Sequence, residues 1–252
     1  MFNSFVHYIR KGVMCLMEPK GRIIVALDVD SLDKAQSLVE QLTPCVGCFK
    51  VGLELITSAG APQVVKFVHE LGGLVFFDGK FDDIPNTVGN AAMSVANLGV
   101  KMFNVHASCG IEAMSAAVAN KGDSLVLAVT VLTSLEENNA HLIFGGPSKA
   151  KVLQFARDAS IAGVDGIICS PQELELLGKQ KELGDLLKVT PGVRPEWAAV
   201  GDQKRVMTPG EAVKAGATAL VIGRPITKPP SEIGSPSEAA KLIAEEIASS
   251  LS

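Results

Sequence analysis

Leu74-Val75-Phe76-Phe77-Asp78-Gly79-Lys80-Phe81-Asp82-Asp83 begins as an unbroken apolar run and ends in a dense set of charges. A short continuous apolar run that follows a Gly-bearing helix end reads as a strand buried on both faces, as in parallel sheets. Similar runs recur at Ile23–Leu27, Cys48–Val51, Met102–His106, Leu125–Thr130, Gly166–Cys169, Leu187–Thr190 and Ala219–Ile222, separated by helical stretches. With Leu74–Asp78 they make eight strands in 252 residues. That matches a (β/α)8 TIM barrel, whose usual size is about 250 residues. A doubly wound α/β sheet more often stops at about five or six strands. No tract of linker composition divides the chain, so residues 22–252 are expected to form one barrel domain.

Helix boundaries are marked explicitly. Ser170-Pro171-Gln172-Glu173, Thr208-Pro209-Gly210-Glu211 and Ser235-Pro236-Ser237-Glu238 each supply an N-cap hydroxyl, Pro at the first helical position and Glu three residues on. The hydroxyl can accept from the third amide while the Glu reaches back to the cap, so each predicts a capping box. Gly72, Gly99, Gly163, Gly178 and Gly216 mark the expected helix ends. The longest interval lies between the fifth and sixth strands, and Gly145-Gly146-Pro147 within it reads as loop. Long loops at strand C-termini are where barrels keep binding sites.

Composition excludes several classes. Lys plus Arg is 23 against 27 for Asp plus Glu, a net charge of −4, which argues against a general nucleic-acid or anionic-membrane binder. No apolar run approaches the ~18 residues of a membrane span. Cys15, Cys45, Cys48, Cys109 and Cys169 are too scattered for a disulfide framework, and free thiols in a reducing cytoplasm are expected. Cys45-Val46-Gly47-Cys48 has no second ligand pair at zinc spacing, and it opens a strand rather than a helix. A buried thiol beside a loop thiol is the preferred reading. Regular patterning begins at Arg22, so residues 1–21 are read as an N-terminal tail of no assigned function, with Met14 and Met17 as alternative starts. Val13–Met17 is too short for a signal-peptide core.

Polar residues collect where strands end: Asp28 after the first, Lys50 in the second, Asp78 and Lys80 at the third, His106 at the fourth. Residues two apart in a strand share a face, so Asp78 and Lys80 should point together. Carboxylates beside a lysine favour its charged form, which suits a general acid better than a Schiff-base nucleophile. Asp-x-Lys-x-x-Asp alone is also compatible with a solvated salt-bridge cluster. Its position after a buried strand favours function. At the other end, Thr190-Pro191-Gly192-Val193-Arg194-Pro195 follows the seventh strand and Gly223-Arg224-Pro225-Ile226 the eighth. Loops seven and eight commonly hold phosphate in such barrels, Gly allowing close approach and Arg giving paired hydrogen bonds. No Walker A or Gly-x-Gly-x-x-Gly motif is present, so a nucleoside triphosphate or dinucleotide is not indicated.

Asp78-Gly79-Lys80-Phe81-Asp82-Asp83-Ile84-Pro85-Asn86-Thr87 stands in order with Leu27-Asp28, Phe49-Lys50-Val51-Gly52, Val131-Leu132-Thr133-Ser134, the Thr190–Pro195 loop, Asp202-Gln203-Lys204-Arg205 and Gly223-Arg224-Pro225-Ile226. Together they closely resemble orotidine 5′-phosphate decarboxylase of the bacterial type, from about Arg22 to the C-terminus. The resemblance implies decarboxylation of orotidine 5′-monophosphate to UMP, the last step of de novo UMP synthesis, in a cytoplasmic enzyme needing neither metal nor cofactor. It implies Lys80 as the proton donor to C6, within a charge array completed by Lys50, Asp78 and Asp83. Asp28 and Lys50 would hold ribose hydroxyls, Thr133 the base, and Gln203 both base and phosphate. Arg194, Gly223 and Arg224 would hold the phosphate, and Pro191 falls among the substrate-binding residues. A homodimer with shared sites is implied, Asp83, Ile84 and Thr87 reaching the partner's substrate. Spacing selects Asp83 over the adjacent Asp82, and Gly79 stands where the family often has an apolar residue such as Leu.

The nearest alternative is the ketogulonate-phosphate decarboxylase and hexulose-phosphate synthase group, which shares Asp-x-Lys-x-x-Asp but uses Mg2+ with a Glu of the second strand. Here that strand carries Lys50, a cation where a metal ligand belongs. A non-catalytic barrel that senses pyrimidine monophosphates could keep Arg194 and Arg224 but would not need Lys80 between Asp78 and Asp83.

Overall fold

The structure is a computed structural model, and it describes residues 18–198 and 207–251. Eight parallel strands close into a barrel in sequence order. They are β1 (Ile23–Ala26), β2 (Cys48–Val51), β3 (Val75–Phe81), β4 (Met102–His106), β5 (Leu125–Val129), β6 (Gly166–Ile168), β7 (Leu187–Pro191) and β8 (Ala219–Ile222). Each run of the sequence reading is a strand, with ends moved by a few residues. The largest shift is in β3, which continues past Asp78 through Lys80 to Phe81 instead of ending at Asp78.

The helices are α1 (Leu32–Leu42), α2 (Leu53–Ala59), α3 (Ala61–Glu70), α4 (Pro85–Ala96), α5 (Ile111–Ala119), α6 (Glu137–Phe144), α7 (Ser148–Ala162), α8 (Leu174–Gly178), α9 (Pro209–Lys214), α10 (Arg224–Thr227) and α11 (Pro236–Leu251). Packing divides the chain into two compact units. Of the described residues, one comprises those up to Phe76, those within Val193–Lys214 and those from Thr218 onward; the other comprises Phe77–Gly192 and Ala215–Ala217.

In the first unit, β1 pairs with β2 through Ile24 and Cys48 and with β8 through Ile24 and Val221. Ile23, Ile24, Val25 and Leu27 are fully buried, as a strand covered on both faces requires. Helix α1 buries Ala35, Val39 and Leu42, spaced four and three residues apart, the stripe of an amphipathic helix. Helix α11 does the same with Ala239, Ala240, Ile243 and Ile247, and its Glu246 accepts the Gly210 N–H of α9 at 2.8 Å. The turn Lys20–Arg22 precedes β1, with Gly21 buried. A Cβ on Gly47 would lie 2.1 Å from the Gly21 carbonyl oxygen, so only glycine fits there.

In the second unit, β4 pairs with β5 over its whole length, Asn104 opposite Leu127, and β5, β6 and β7 continue in parallel register. Helix α4 packs on α5. Gly89 permits the approach, since even a methyl there would stand 3.2 Å from Asn120 Nδ2. Helix α7 turns Val152, Phe155, Ala156 and Ala159 inward, again at helical spacing.

All three predicted capping boxes form. Glu173 accepts the Ser170 N–H at 2.8 Å, Glu211 the Thr208 N–H at 2.9 Å, and Glu238 the Ser235 N–H at 2.7 Å. Thr208 and Ser235 hydroxyls accept the returning amides of Glu211 and Glu238 at 3.3 Å each. The Ser170 box opens a short 3-10 turn, Pro171–Glu173, that leads into α8. Gly163 ends α7 at φ +78°, as expected of a helix-ending glycine. Gly178 does not follow this pattern: it is the last residue of α8, and Lys179 closes the helix.

Candidate active site

Alternation along β3 sorts its end into two faces. Phe77, Gly79 and Phe81 share one, and Asp78 and Lys80 the other. On the first face the rings of Phe77 and Phe81 lie 6.1 Å apart, and Phe81 meets Phe103 of β4 at 6.0 Å. A Cβ on Gly79 would come within 2.6 Å of Phe77 and 3.1 Å of Phe81. The rings thus occupy the space that a side chain at this position would need.

On the second face Lys80 Nζ donates to Asp78 Oδ1 at 2.6 Å, as the two-residue spacing predicted. Asp78 is buried and Lys80 partly so. Lys80 has φ +48°, the one non-glycine residue at positive φ among the described residues. Side-chain-bearing residues pay for that conformation and keep it where the surroundings enforce it. Here the Lys80 N–H donates to Asn104 Oδ1 at 2.7 Å, and Asn104 Nδ2 donates to Asp78 Oδ1 at 2.6 Å. The sequence reading missed Asn104. Its signal is a lone amide inside the apolar run Met102-Phe103-Asn104-Val105.

Beyond β3 the two acids diverge. Asp82 accepts from Ser108 Oγ at 3.3 Å, in the turn that follows β4. Asp83 accepts the N–H of Ile84, the residue that caps α4, at 2.7 Å. Asp83, Ile84 and Thr87 are all exposed, Ile84 to 66%. His106, at the end of β4, is held below its ordinary value by burial, opposed by the charge of Asp82. Burial pushes the Cys109 thiol up to about 11 and the Cys169 thiol up to about 12, so neither is a reactive thiolate at neutral pH. The four described cysteines are free. Thr133 is exposed in the turn after β5, and Pro191 ends β7.

The first unit carries the remaining candidates. Lys50 Nζ of β2 stands 3.2 Å from Asp28 Oδ1 at the end of β1, the lysine largely shielded and the acid open to solvent. Gly223 follows β8 and precedes α10; a Cβ there would lie 3.7 Å from Asp28 Oδ2, so the ends of β1 and β8 are close. Arg224 is the first residue of α10 and exposed. Arg194 is buried, its N–H bonded to the Met207 carbonyl at 3.0 Å. Gln203 lies outside the described residues. Among those residues, no group of three or more His, Cys, Asp or Glu is placed to hold a metal ion.

A closed parallel barrel with a lysine set against a buried carboxylate at a strand end, and Gly-Arg after the last strand, defines a (β/α)8-barrel enzyme. The chain belongs to the Orotidine 5'-phosphate decarboxylase / HUMPS family, whose model matches residues 21–242. It is similar to the orotidine 5'-phosphate decarboxylase of Heliobacterium modesticaldum, 48% identical over 93% of this chain and 99% of that one. The protein of the same name from Geotalea daltonii is 46% identical over 91% and 97%. Among solved structures, orotidine 5'-phosphate decarboxylase from Lactobacillus acidophilus superposes with a TM-score of 0.76 at 34% identity, covering 89% of this chain and 98% of that one. The family resemblance read from the motifs is borne out.

Proposed function

We propose that this chain converts orotidine 5′-monophosphate to UMP and CO2. The observation that carries the reading is Lys80 Nζ at 2.6 Å from Asp78 Oδ1 on one face of β3, inside the motif Asp78-x-Lys80-x-x-Asp83. Family membership and the names of the relatives support the same reading.

The chemistry asks for a fixed cation. When the C6–carboxylate bond breaks, CO2 departs and the electron pair stays on C6, where the ring cannot readily delocalise it. The Lys80 ammonium stabilises that developing charge and then gives C6 its proton; the neutral amine regains one from solvent. Asp78 sets a counter-charge against the lysine, and its own charge beside the departing carboxylate adds ground-state repulsion. Binding energy from the phosphate, remote from C6, orders the site.

In this reading Asp28 and Lys50 hold the ribose hydroxyls and Thr133 the base. Gln203 bridges base and phosphate, Pro191 lines the substrate, and Arg194, Gly223 and Arg224 hold the phosphate. The Asp28–Lys50 pair supports the first assignment, and the Gly-Arg start of α10 the last. The chain acts as a cytoplasmic homodimer in which Asp83, Ile84 and Thr87 serve the partner's site. Their shared exposure at the start of α4 supports this. No nucleic acid or membrane takes part, in keeping with the net charge of −4. No described helix is long and apolar enough to cross a membrane.

The test is release of CO2 from orotidine 5′-monophosphate by the purified chain in chelator. Turnover without added metal is the expected result. Turnover that requires Mg2+ would favour the sugar-phosphate branch, and tight binding without turnover would favour a sensor.

A further inference from the structure

Asn104 belongs to none of the motifs, yet both hydrogen bonds of its side chain go to residues on which the proposed chemistry depends. It is fully buried on β4. Its Oδ1 accepts the backbone N–H of Lys80 at 2.7 Å, and its Nδ2 donates to Asp78 Oδ1 at 2.6 Å. The partners dictate which way the amide faces. A backbone N–H can only donate and a carboxylate can only accept, so a flipped amide would set donor against donor and acceptor against acceptor. The Asp78 oxygen that takes the amide is the one that takes Lys80 Nζ. Asn104 therefore touches both ends of the Asp78–Lys80 pair: the strained backbone of one residue and the charged oxygen of the other.

We infer that Asn104 is a positioning residue for the reaction. It holds Lys80 in the left-handed conformation and fixes Asp78 Oδ1 against the ammonium, so the proton donor and its counter-charge keep one geometry through the cycle. The inference rests on the decarboxylase reading above. Reacting groups displaced by about 1 Å can lose roughly a hundredfold in rate, which is the scale at which such a clamp matters.

The experiment compares the wild type with Asn104→Leu and Asn104→Asp, using orotidine 5′-monophosphate across the pH range in which all three stay folded. In Asn104→Leu, kcat should fall roughly 10–100-fold while KM stays within about threefold, because the loss concerns the reacting centre and not substrate capture. Asn104→Asp is the more telling variant. Protonated, the introduced acid still accepts from the Lys80 N–H and donates to Asp78. Ionised, it has no donor and repels Asp78. Its kcat relative to the wild type should climb as pH falls. The ionisable residues it bonds are Asp78 and Lys80 of β3; His106, two residues further along β4, feels the charges of Asp82, Lys80 and Asp78, and the β5 neighbour is the apolar Leu127.

Hydrogen exchange at the Lys80 amide reads the same clamp without reference to activity, and it should quicken in Asn104→Leu. Wild-type kcat in Asn104→Leu, a flat variant-to-wild-type ratio in Asn104→Asp, or unchanged exchange at Lys80 would each overturn the inference. Should Asn104→Leu not fold, the pH profile of Asn104→Asp and exchange at its Lys80 amide above and below the transition decide alone. A wild type that does not decarboxylate would instead overturn the functional reading, and the exchange measurement still judges the clamp.

Discussion

Asp82 and Asp83 are neighbours in sequence with different attachments: Ser108 Oγ donates to Asp82 at 3.3 Å, and the Ile84 N–H donates to Asp83 at 2.7 Å. The first acid is turned to the loop after β4 of its own chain, and the second sits on an exposed edge with Ile84 and Thr87. A shared-site dimer needs this division. Lys80→Ala and Asp83→Ala should each be nearly inactive as homodimers. Unfolded and refolded together in equal amounts, they give roughly half mixed dimers, each with one intact site, so roughly a quarter of all sites should recover. Active-site titration reads the fraction. No recovery despite proven subunit exchange would return Asp83 to its own chain's site. Asp82→Ala should keep most activity.

Arg224, the exposed first residue of α10, is expected to act on the phosphate. Arg224→Ala should raise KM for the nucleotide, by roughly 10–100-fold if a charge-assisted pair is lost. Turnover of the phosphate-free nucleoside should change far less. Steady-state kinetics on both substrates checks this, and an equal loss on both would give Arg224 another role.

Gly79 carries a packing prediction. Gly79→Leu would add an apolar side chain whose Cβ stands 2.6 Å from Phe77 and 3.1 Å from Phe81. Overpacking of this kind costs about 1–3 kcal/mol. Combining it with Phe77→Val should recover part of that loss, because the two positions compete for one volume. Denaturant melts of the single and double variants measure the coupling, and strict additivity would contradict the account.

Glu173 sets a pH dependence. Burial pushes its carboxyl up to about 7 from an ordinary 4.5, against the hydrogen bond from the Ser170 N–H. The folded state then holds the proton more tightly than the unfolded one. The resulting stability is complete below about 4.5 and is lost as pH rises through about 7. Glu173→Gln keeps an oxygen for the cap and removes the titration. The wild type should lose about 1–3 kcal/mol relative to that variant as pH rises across this window. Melts at several pH values decide it, and parallel curves would show that Glu173 does not titrate there.

Much of this was legible in the sequence because it is written locally. A strand buried on both faces must be a short apolar run, and Ile23–Ala26 or Leu125–Val129 could hardly be anything else. Ser-Pro-x-Glu or Thr-Pro-x-Glu satisfies its own helix start, so the three capping boxes needed no distant partner. Asp78 and Lys80 met because strand period is two. Asn104 was hidden, since an amide within an apolar run says nothing about which neighbouring strand will use it. The left-handed φ of Lys80 has no sequence mark at all. Gly178 shows the opposite failure: a glycine near a helix end fits either the last turn or the cap, and only tertiary packing chooses.

The positive φ of Lys80 puts two selective demands on one position. A glycine there would relieve the backbone but also remove the cation that faces the buried Asp78 carboxylate, so ease of the chain and balance of charge pull against each other at residue 80. A chain carrying Lys80→Gly together with Asp78→Asn has neither the strained backbone nor the buried charge. If it outlasts the wild type on heating while turning over no substrate, the trade-off is isolated at this pair.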